Sequence, residues 1–206
     1  MSAGGNLKND DYHWKKDKAR STGVLGGFGS HVIDQARWIF GDVRRVGASV
    51  KTFKPIADPE MPSIETANDS AMVTFDFASG VQGMIYISRV RYPDSPDCFS
   101  VSGEKGRLCL TTSIMGGNVI KGGQLHEDEL MSLEIPDHLY EGVDRSKSGL
   151  ELFKECFKGQ PFYGYAFVES ILNNTVVPPS FYEGMKAQEV IDAAFRSDKT
   201  DTLVTL

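Results

Sequence analysis

The chain has 206 residues, of which 40% are hydrophobic and 24% are charged, proportions that are typical of a soluble globular protein and unlike those of a disordered chain. Its formal net charge of -6 at pH 7 disfavours a general binding surface for nucleic acid or for an anionic membrane. No apolar run is as long as a membrane span and the N-terminus lacks the apolar centre of a signal peptide, so we predict a cytoplasmic protein with no nucleic-acid or membrane partner.

The first 22 residues are polar, and we expect residues 1–10 to form a disordered lead-in. Tyr12 and Trp14 indicate that the ordered part begins near Asp11 and that some of this segment packs down. Farther along, the three cysteines Cys98, Cys109 and Cys156 have no metal-ligand spacing and an odd count. They are therefore predicted to be buried structural thiols in a reducing compartment.

The segment from Gly23 to Asp34 reads GVLGGFGSHVID and joins a glycine-rich turn to an amphipathic helix. Ser30 is predicted to cap the helix and Gly41 to end it. His31 would then lie at the helix N-terminus, where the macrodipole favours a neutral imidazole that can exchange protons. The alternative is an ordinary histidine that packs or caps. Asp34 could orient the ring or pair with an arginine, Arg37 or Arg89. The apolar stripe consists of Val32, Ile33, Ala36, Ile39 and Phe40.

Strands follow in the middle of the chain. Residues 43–53, 70–77 and 81–92 have strand patterns, and the last two flank the turn at Ala78 to Gly80, which predicts an antiparallel hairpin. A second hairpin is predicted for residues 98–102 and 107–112, around the turn at Gly103 to Gly106. Residues 118–120 and 130–135 have weaker strand signals.

Helical patterns return after Ser146. Two apolar stripes precede Pro178, and the last helix has the capping-box pair Ser180 and Glu183. Its buried face is predicted to consist of Ala187, Val190, Ile191, Ala194 and Phe195. Together these elements predict an α+β fold, a mostly antiparallel open-faced sheet with helices packed on one face.

The sequence does not match the motifs of several common kinds of functional site. A dinucleotide fingerprint would need a third glycine where Val32 stands, and only Val24 and Leu25 precede the turn in place of a strand. The four histidines are dispersed and residues 126–129 read as a solvated acidic loop, so no metal site is predicted. Arg89 and Arg91 are predicted on one face of a strand, where they could bind an anionic or hydroxylated substrate or could simply be surface charges.

Four ordered segments resemble the C-terminal domain of the glucose-fructose oxidoreductase, inositol dehydrogenase and rhizopine-catabolism (Gfo/Idh/MocA) family. They are GVLGGFGSHVIDQARWIFGD, NDSAMVTFDFASGVQGMIYISR, FSVSGEKGRLCL and PPSFYEGMKAQEVIDAAFRSDKT. The resemblance implies a single domain over residues 11–206. It also implies that the family's N-terminal Rossmann domain, which binds NAD or NADP and supplies a lysine, is absent here.

By this resemblance His31 is the family's active-site histidine, and we assign Trp14, Arg89 and Arg91 as candidate substrate-binding residues. Many members have an aspartate four residues before the histidine, where this chain has Gly27. The resemblance implies the substrate-binding and oligomerisation domain of an NAD(P)-dependent oxidoreductase that acts on a sugar, cyclitol or other polyol. The chain alone is expected to bind no cofactor and to be inactive, and to form homo-oligomers through its sheet face. The alternative is a non-enzymatic binding or assembly module, a fragment or a relict.

Overall fold

The computed structural model describes residues 12–56, 63–91, 97–112, 118–156 and 163–206. Packing divides the chain into two compact units, one of residues 1–95 with 178–206 and the other of residues 96–177. The predicted lead-in, residues 1–10, lies outside the described residues. The single domain over residues 11–206 stays a prediction, and each unit is described by itself.

All of the described strands pair antiparallel, and the α-helices lie before and after a run of seven strands, which confirms the predicted α+β class. The strands are β1 (Val43–Lys51), β2 (Ser70–Phe77), β3 (Gln82–Ser88), β4 (Asp97–Gly103), β5 (Gly106–Thr112), β6 (Val119–Gln124), β7 (Met131–Ser132) and β8 (Val204–Thr205). The α-helices are α1 (Ser30–Phe40), α2 (Gly149–Cys156), α3 (Tyr163–Asn173) and α4 (Phe181–Thr200). Short 3-10 helices are formed by Trp14–Lys16 and Asp137–Tyr140, and a π-helical turn by Leu25–Gly29.

The first unit contains a sheet of order β3-β2-β1-β8. Alternate residues of β2 point to opposite faces, so Val73 and Phe75 are buried while Met72 is half exposed. Helices α1 and α4 cover the buried face, with Ile33 and Ile191 among the core residues. This arrangement confirms the prediction of helices packed on one face of an open sheet.

Side chains of α4 also complete the hydrogen bonding of β1. The Ser197 hydroxyl accepts a hydrogen bond from the backbone N–H of Ala48 (3.0 Å) and donates one to the carbonyl of Thr202 (2.7 Å). A carboxylate oxygen of Asp198 accepts one from the N–H of Val50 (2.8 Å). Strand β8 pairs only with residues 45 and 46 of β1, so these side chains satisfy amides that it does not reach.

The second unit contains a separate sheet of order β4-β5-β6-β7. The hairpin predicted around Gly103 to Gly106 is confirmed, with Cys98 opposite Thr111 and Ser100 opposite Cys109. The sequence analysis predicted a single sheet, whereas the described strands form two separate sheets. The pattern records which strands alternate in polarity, and it does not record which distant strands pair.

Candidate functional site

The glycine-rich segment is helical, which corrects the predicted start of the helix. Gly23 has φ +65° and a Cβ at this position would collide with Asn68, so a side chain is excluded there. The Asn68 side-chain oxygen accepts a hydrogen bond from the N–H of Leu25 (3.0 Å), and its backbone carbonyl accepts one from Val24 (2.9 Å). Asn68 therefore caps the helix from a distant part of the chain.

Ser30 does not cap this helix, because it lies inside the helical segment. Its backbone is helical, and its hydroxyl donates to the carbonyl of Gly27 (3.3 Å). The predicted end is confirmed, since Gly41 has φ +87° and donates its N–H to the carbonyl of Arg37 (2.8 Å). His31 consequently follows more than one helical turn, and the dipole argument for its chemistry, which holds only at a helix end, does not apply.

His31 lies on the exposed side of α1, opposite the buried residues Ile33 and Ala36. Gly27 precedes it by four residues, about one turn, and is also exposed. A Cβ built at Gly27 meets no atom within 4 Å. The segment therefore presents an imidazole beside open space.

Arg89 is held against the same helical segment. Its guanidinium carbon lies 4.8 Å from the centre of the Phe28 ring, a cation–π contact, and its backbone N–H donates to the carbonyl of Asp69 (2.8 Å). Its Nε is buried and has no hydrogen-bond partner within the described ranges. Burial lowers the pKa of Arg89. The structure thus places a partly desolvated cation on Phe28, three residues before His31.

The predicted position of the two arginines on a strand is wrong, since β3 ends at Ser88. Arg89 and Arg91 lie in the segment that follows it. The backbone N–H of Arg89 still donates to the carbonyl of Asp69, the next position in the β2–β3 register, so the pairing ends directly after β3.

Trp14 is half exposed in the 3-10 helix, with the Lys15 amine 5.6 Å from its ring centre. The backbone of this segment pairs with residues 65–67, for example through the N–H of Ala67 and the carbonyl of Lys16 (2.7 Å). Because Asn68 follows directly, the Trp14 segment and the His31 helix are anchored on the same stretch of chain. Asp34 lies 4.0 Å from Arg37, which agrees with the pairing role for Asp34.

Three residues that shape this region were not predicted from the sequence: Phe28, Asn68 and Asp69. Asp69 is buried, and its carboxylate accepts hydrogen bonds from the backbone N–H groups of Phe53 (2.9 Å) and Lys54 (2.8 Å). The available signal was the Asn68-Asp69 pair immediately before a strand, since both types favour bonds to nearby backbone. The partners are 15 to 43 positions away in the chain, so local pattern could not name them.

The second unit has an open groove of about 810 Å³ beside the β4–β5 turn, and none of the predicted site residues lines it. Charged residues of both signs, Glu104 and Arg107 among them, lie beside apolar ones such as Leu108 and Met131. The prediction of buried cysteines is wrong here. Cys98 and Cys156 are exposed and Cys109 is partly so, because these strands and helices have little protein packed over them.

Within the described ranges, no three residues of the types His, Cys, Asp and Glu come together as metal ligands would. None of the described helices has both the length and the apolar character that a bilayer crossing requires.

The Bacillus subtilis (strain 168) enzyme scyllo-inositol 2-dehydrogenase (NADP(+)) IolW is 22% identical over 195 residues, 94% of this chain and 52% of that protein. Among solved structures, levoglucosan dehydrogenase in complex with NADH and levoglucosan superposes with a TM-score of 0.71 at 18% identity, over 94% of this chain and 53% of that one. An NAD binding oxidoreductase from Klebsiella pneumoniae gives 0.76 at 21% identity, over 100% and 57%. At such identities the superpositions establish the fold.

The chain spans about half the length of these relatives. A profile of the C-terminal alpha/beta domain of the oxidoreductase family, GFO_IDH_MocA_C, matches residues 2–206. Because that match runs through nearly the whole sequence, from the Trp14 segment to the strand after α4, the chain belongs to the C-terminal domain of the Gfo/Idh/MocA oxidoreductase family.

Proposed function

We propose that this chain is the substrate-binding and oligomerisation part of an NAD(P)-dependent oxidoreductase that acts on a sugar, a cyclitol or another polyol in the cytoplasm. The observation that carries the proposal is the exposed His31, four residues after the unfilled position at Gly27 and one turn from the Arg89–Phe28 pair. Family membership suggests the class of reaction. The fold alone does not determine the function, so the proposal rests on the residues of the site.

The glycine-rich segment does not fit a dinucleotide phosphate. Binding at a helix N-terminus uses free backbone N–H groups, and here the N–H groups of Val24 and Leu25 bond to Asn68 while that of Gly26 bonds to Thr22. NAD or NADP must therefore be held by residues other than these, and the chain alone is expected to be inactive.

His31 supplies a proton acceptor for the substrate hydroxyl in this proposal. Imidazole suits the role because a neutral ring nitrogen can accept a proton and later release it. Arg89 is proposed to donate hydrogen bonds to substrate oxygens, with Phe28 fixing the plane of the guanidinium. Trp14 and Arg91 remain proposed substrate contacts.

The test expresses this chain together with its directly upstream coding sequence and measures NAD- and NADP-dependent oxidation of a panel of polyols. His31→Ala should lower kcat by roughly 10²–10⁴-fold, the usual contribution of a general base. His126→Ala is the matched control, because His126 is an exposed histidine of the second unit and should retain full activity. Unchanged turnover in His31→Ala would remove the catalytic assignment.

Oligomerisation is proposed to use the outward face of the first sheet. Met72 lies opposite Tyr86 and Thr74 lies opposite Met84 in the β2–β3 register. Met72, Met84 and Tyr86 are half or more exposed, so they form one apolar patch, the kind of surface that marks protein contacts. Sedimentation should give a dimer or larger assembly, and Met84→Glu should dissociate it; Ser79→Glu, at the β2–β3 turn, is the control.

The second candidate is a non-enzymatic binding or assembly module, and the observation that favours it is Gly27, where many family members have a carboxylate. An aspartate fits here without a clash at Cβ. If the module is a relict, Gly27→Asp in the protein with its upstream region should raise a low polyol-oxidation rate at least tenfold. If Gly27 belongs to a working site, the same change should leave the rate unchanged or lower it.

A further inference from the structure

Two thiols meet on one face of the second sheet. The Sγ atoms of Cys98 on β4 and Cys109 on β5 are 3.5 Å apart and share a hydrogen bond. They are diagonal neighbours, since the register pairs Cys98 with Thr111 and Cys109 with Ser100. Cys98 is exposed, so a dissolved ion can reach the pair.

The spacing of these two residues is unsuited to a disulfide. An S–S bond is about 2.05 Å long and needs Cα atoms about 4.4–6.8 Å apart. Diagonal partners in an antiparallel pair have Cα atoms about 7–8 Å apart. Joining Cys98 to Cys109 would therefore require β4 and β5 to move, and the reduced pair is the arrangement that the sheet favours.

The same spacing suits two thiolates that share one soft cation. A Zn²⁺ ion at its usual distance of about 2.3 Å from each sulfur would span the 3.5 Å gap with an S–Zn–S angle of about 100°. That angle is close to the tetrahedral value of about 109° preferred in zinc sites. The ion could therefore bind without strand movement.

Two basic residues lie on the same face of the sheet as the pair. Arg107 lies two residues before Cys109 on the same face of β5, and Lys121 is directly opposite Cys109 on β6. The Nε of Arg107 donates to the hydroxyl of Ser100 (3.0 Å), which holds the guanidinium over this face.

We propose that Cys98 and Cys109 form a two-thiolate site for a soft divalent cation of the Zn²⁺ class. Within the described ranges no third cysteine, histidine or carboxylate joins them, and the remaining coordination positions are proposed to be filled by water. A site with open positions is unlike the closed four-ligand sites that hold structural zinc. The bound ion therefore exchanges with solvent, and its binding releases at least one proton, because thiol ligands must be deprotonated.

The test titrates Zn²⁺ alone into the reduced 206-residue chain by calorimetry in two buffers of different ionisation enthalpy. We expect one ion per chain, at least one proton released per ion, and an affinity at least tenfold lower in Cys98→Ser and in Cys109→Ser. Cys156→Ser is the matched control, because it removes an exposed thiol of the same unit that has no thiol neighbour in the described structure.

A measurement on the unaltered chain covers the case in which a serine variant fails to fold. Zn²⁺ should protect Cys98 and Cys109 from alkylation while Cys156 reacts at its original rate. Equal protection of all three thiols, no binding, or equal affinity in the three variants would overturn the proposal. So would a Cys98–Cys109 disulfide in the chain purified without reductant, because it would show that the strands close on the shorter bond.

Discussion

The two units of this chain bury their apolar side chains to different extents. In the first unit, α1 and α4 cover one face of the sheet, and residues such as Val46 and Val73 are completely buried. Among the described residues of the second unit, no apolar side chain is buried to that extent, and Phe167 and Leu172 of α3 are mainly exposed. The first unit therefore carries its own hydrophobic core, whereas the described apolar groups of the second lie largely on its surface.

This difference in burial predicts which property a substitution should change in each unit. Removing apolar volume from a filled core costs both transfer energy and a cavity, while removing an exposed side chain costs little. Changes in the first unit should consequently lower the free energy of unfolding, and changes at the exposed apolar surface of the second should affect contacts with other molecules.

The largest expected effect is in the aromatic core. Phe77 is 2% exposed and its ring centre lies 5.4 Å from that of Phe40. Phe77→Ala should lower the free energy of unfolding by about 3–5 kcal/mol, measured by denaturation with fluorescence of Trp14 and Trp38, which both belong to the first unit. Phe167→Ala should change it by less than about 0.5 kcal/mol. Similar losses of unfolding free energy in both variants would contradict the difference in burial between the two units.

The next effect tests the polar part of the same unit. Asp69→Ala removes the buried acceptor of the Phe53 and Lys54 N–H groups and should cost about 2–3 kcal/mol, as hydrogen bonds to a buried charge do. Hydrogen exchange at those two amides should accelerate. Asp192→Ala, at an exposed position of α4, should cost almost nothing, and slow exchange at both amides in Asp69→Ala would contradict the assignment.

Alanine substitutions at two glycines four positions apart should change the free energy of unfolding in opposite directions. Gly23→Ala places a Cβ against Asn68 at a positive φ and should destabilise the first unit by about 1–3 kcal/mol. Gly27→Ala points into open space and should stabilise it by up to about 1 kcal/mol, because alanine restricts the unfolded chain. Equal effects in thermal denaturation would show that the turn does not have the described backbone.

The smallest effect concerns the start of α4. Hydrogen bonds from the side chain and backbone of Ser180 lower the pKa of Glu183. The folded state therefore favours the ionised carboxylate, and its stabilisation is complete above the ordinary glutamate pKa and lost as pH falls through the lowered value. Glu183→Gln should flatten the acid side of the stability–pH curve of the first unit; an unchanged slope would mean that this capping box carries no charge effect.

Features governed by neighbouring residues were predictable from the sequence. The capping box at Ser180 and Glu183 is confirmed, with the Ser180 N–H donating to Glu183 at 2.6 Å, and strand β2 begins and ends at the predicted residues. The helix end at Gly41 is confirmed for the same reason. Each rests on contacts within a few positions along the chain.

Features that depend on distant partners were not predictable. The glycine-rich segment was expected to turn sharply, and it is helical because Asn68 caps it from 43 positions away. Residues 52 and 53 were expected to extend β1, and they leave the strand where Asp69 binds the Phe53 N–H. For the candidate site, His31 and Arg89 were predicted from the sequence. The residues that position them, Asn68 and Phe28, were not predicted.

The bonds from Ser197 and Asp198 to β1 have a consequence for polymerisation. An unpaired strand edge is a template on which further chains add and grow into fibres. At this edge of the first sheet the amides of Ala48 and Val50 are already occupied by side chains of α4, so an incoming strand finds no donors there. Strand addition is therefore blocked along this stretch of β1, and a second copy that extended the sheet would have to add at the opposite edge, where β3 is the last strand.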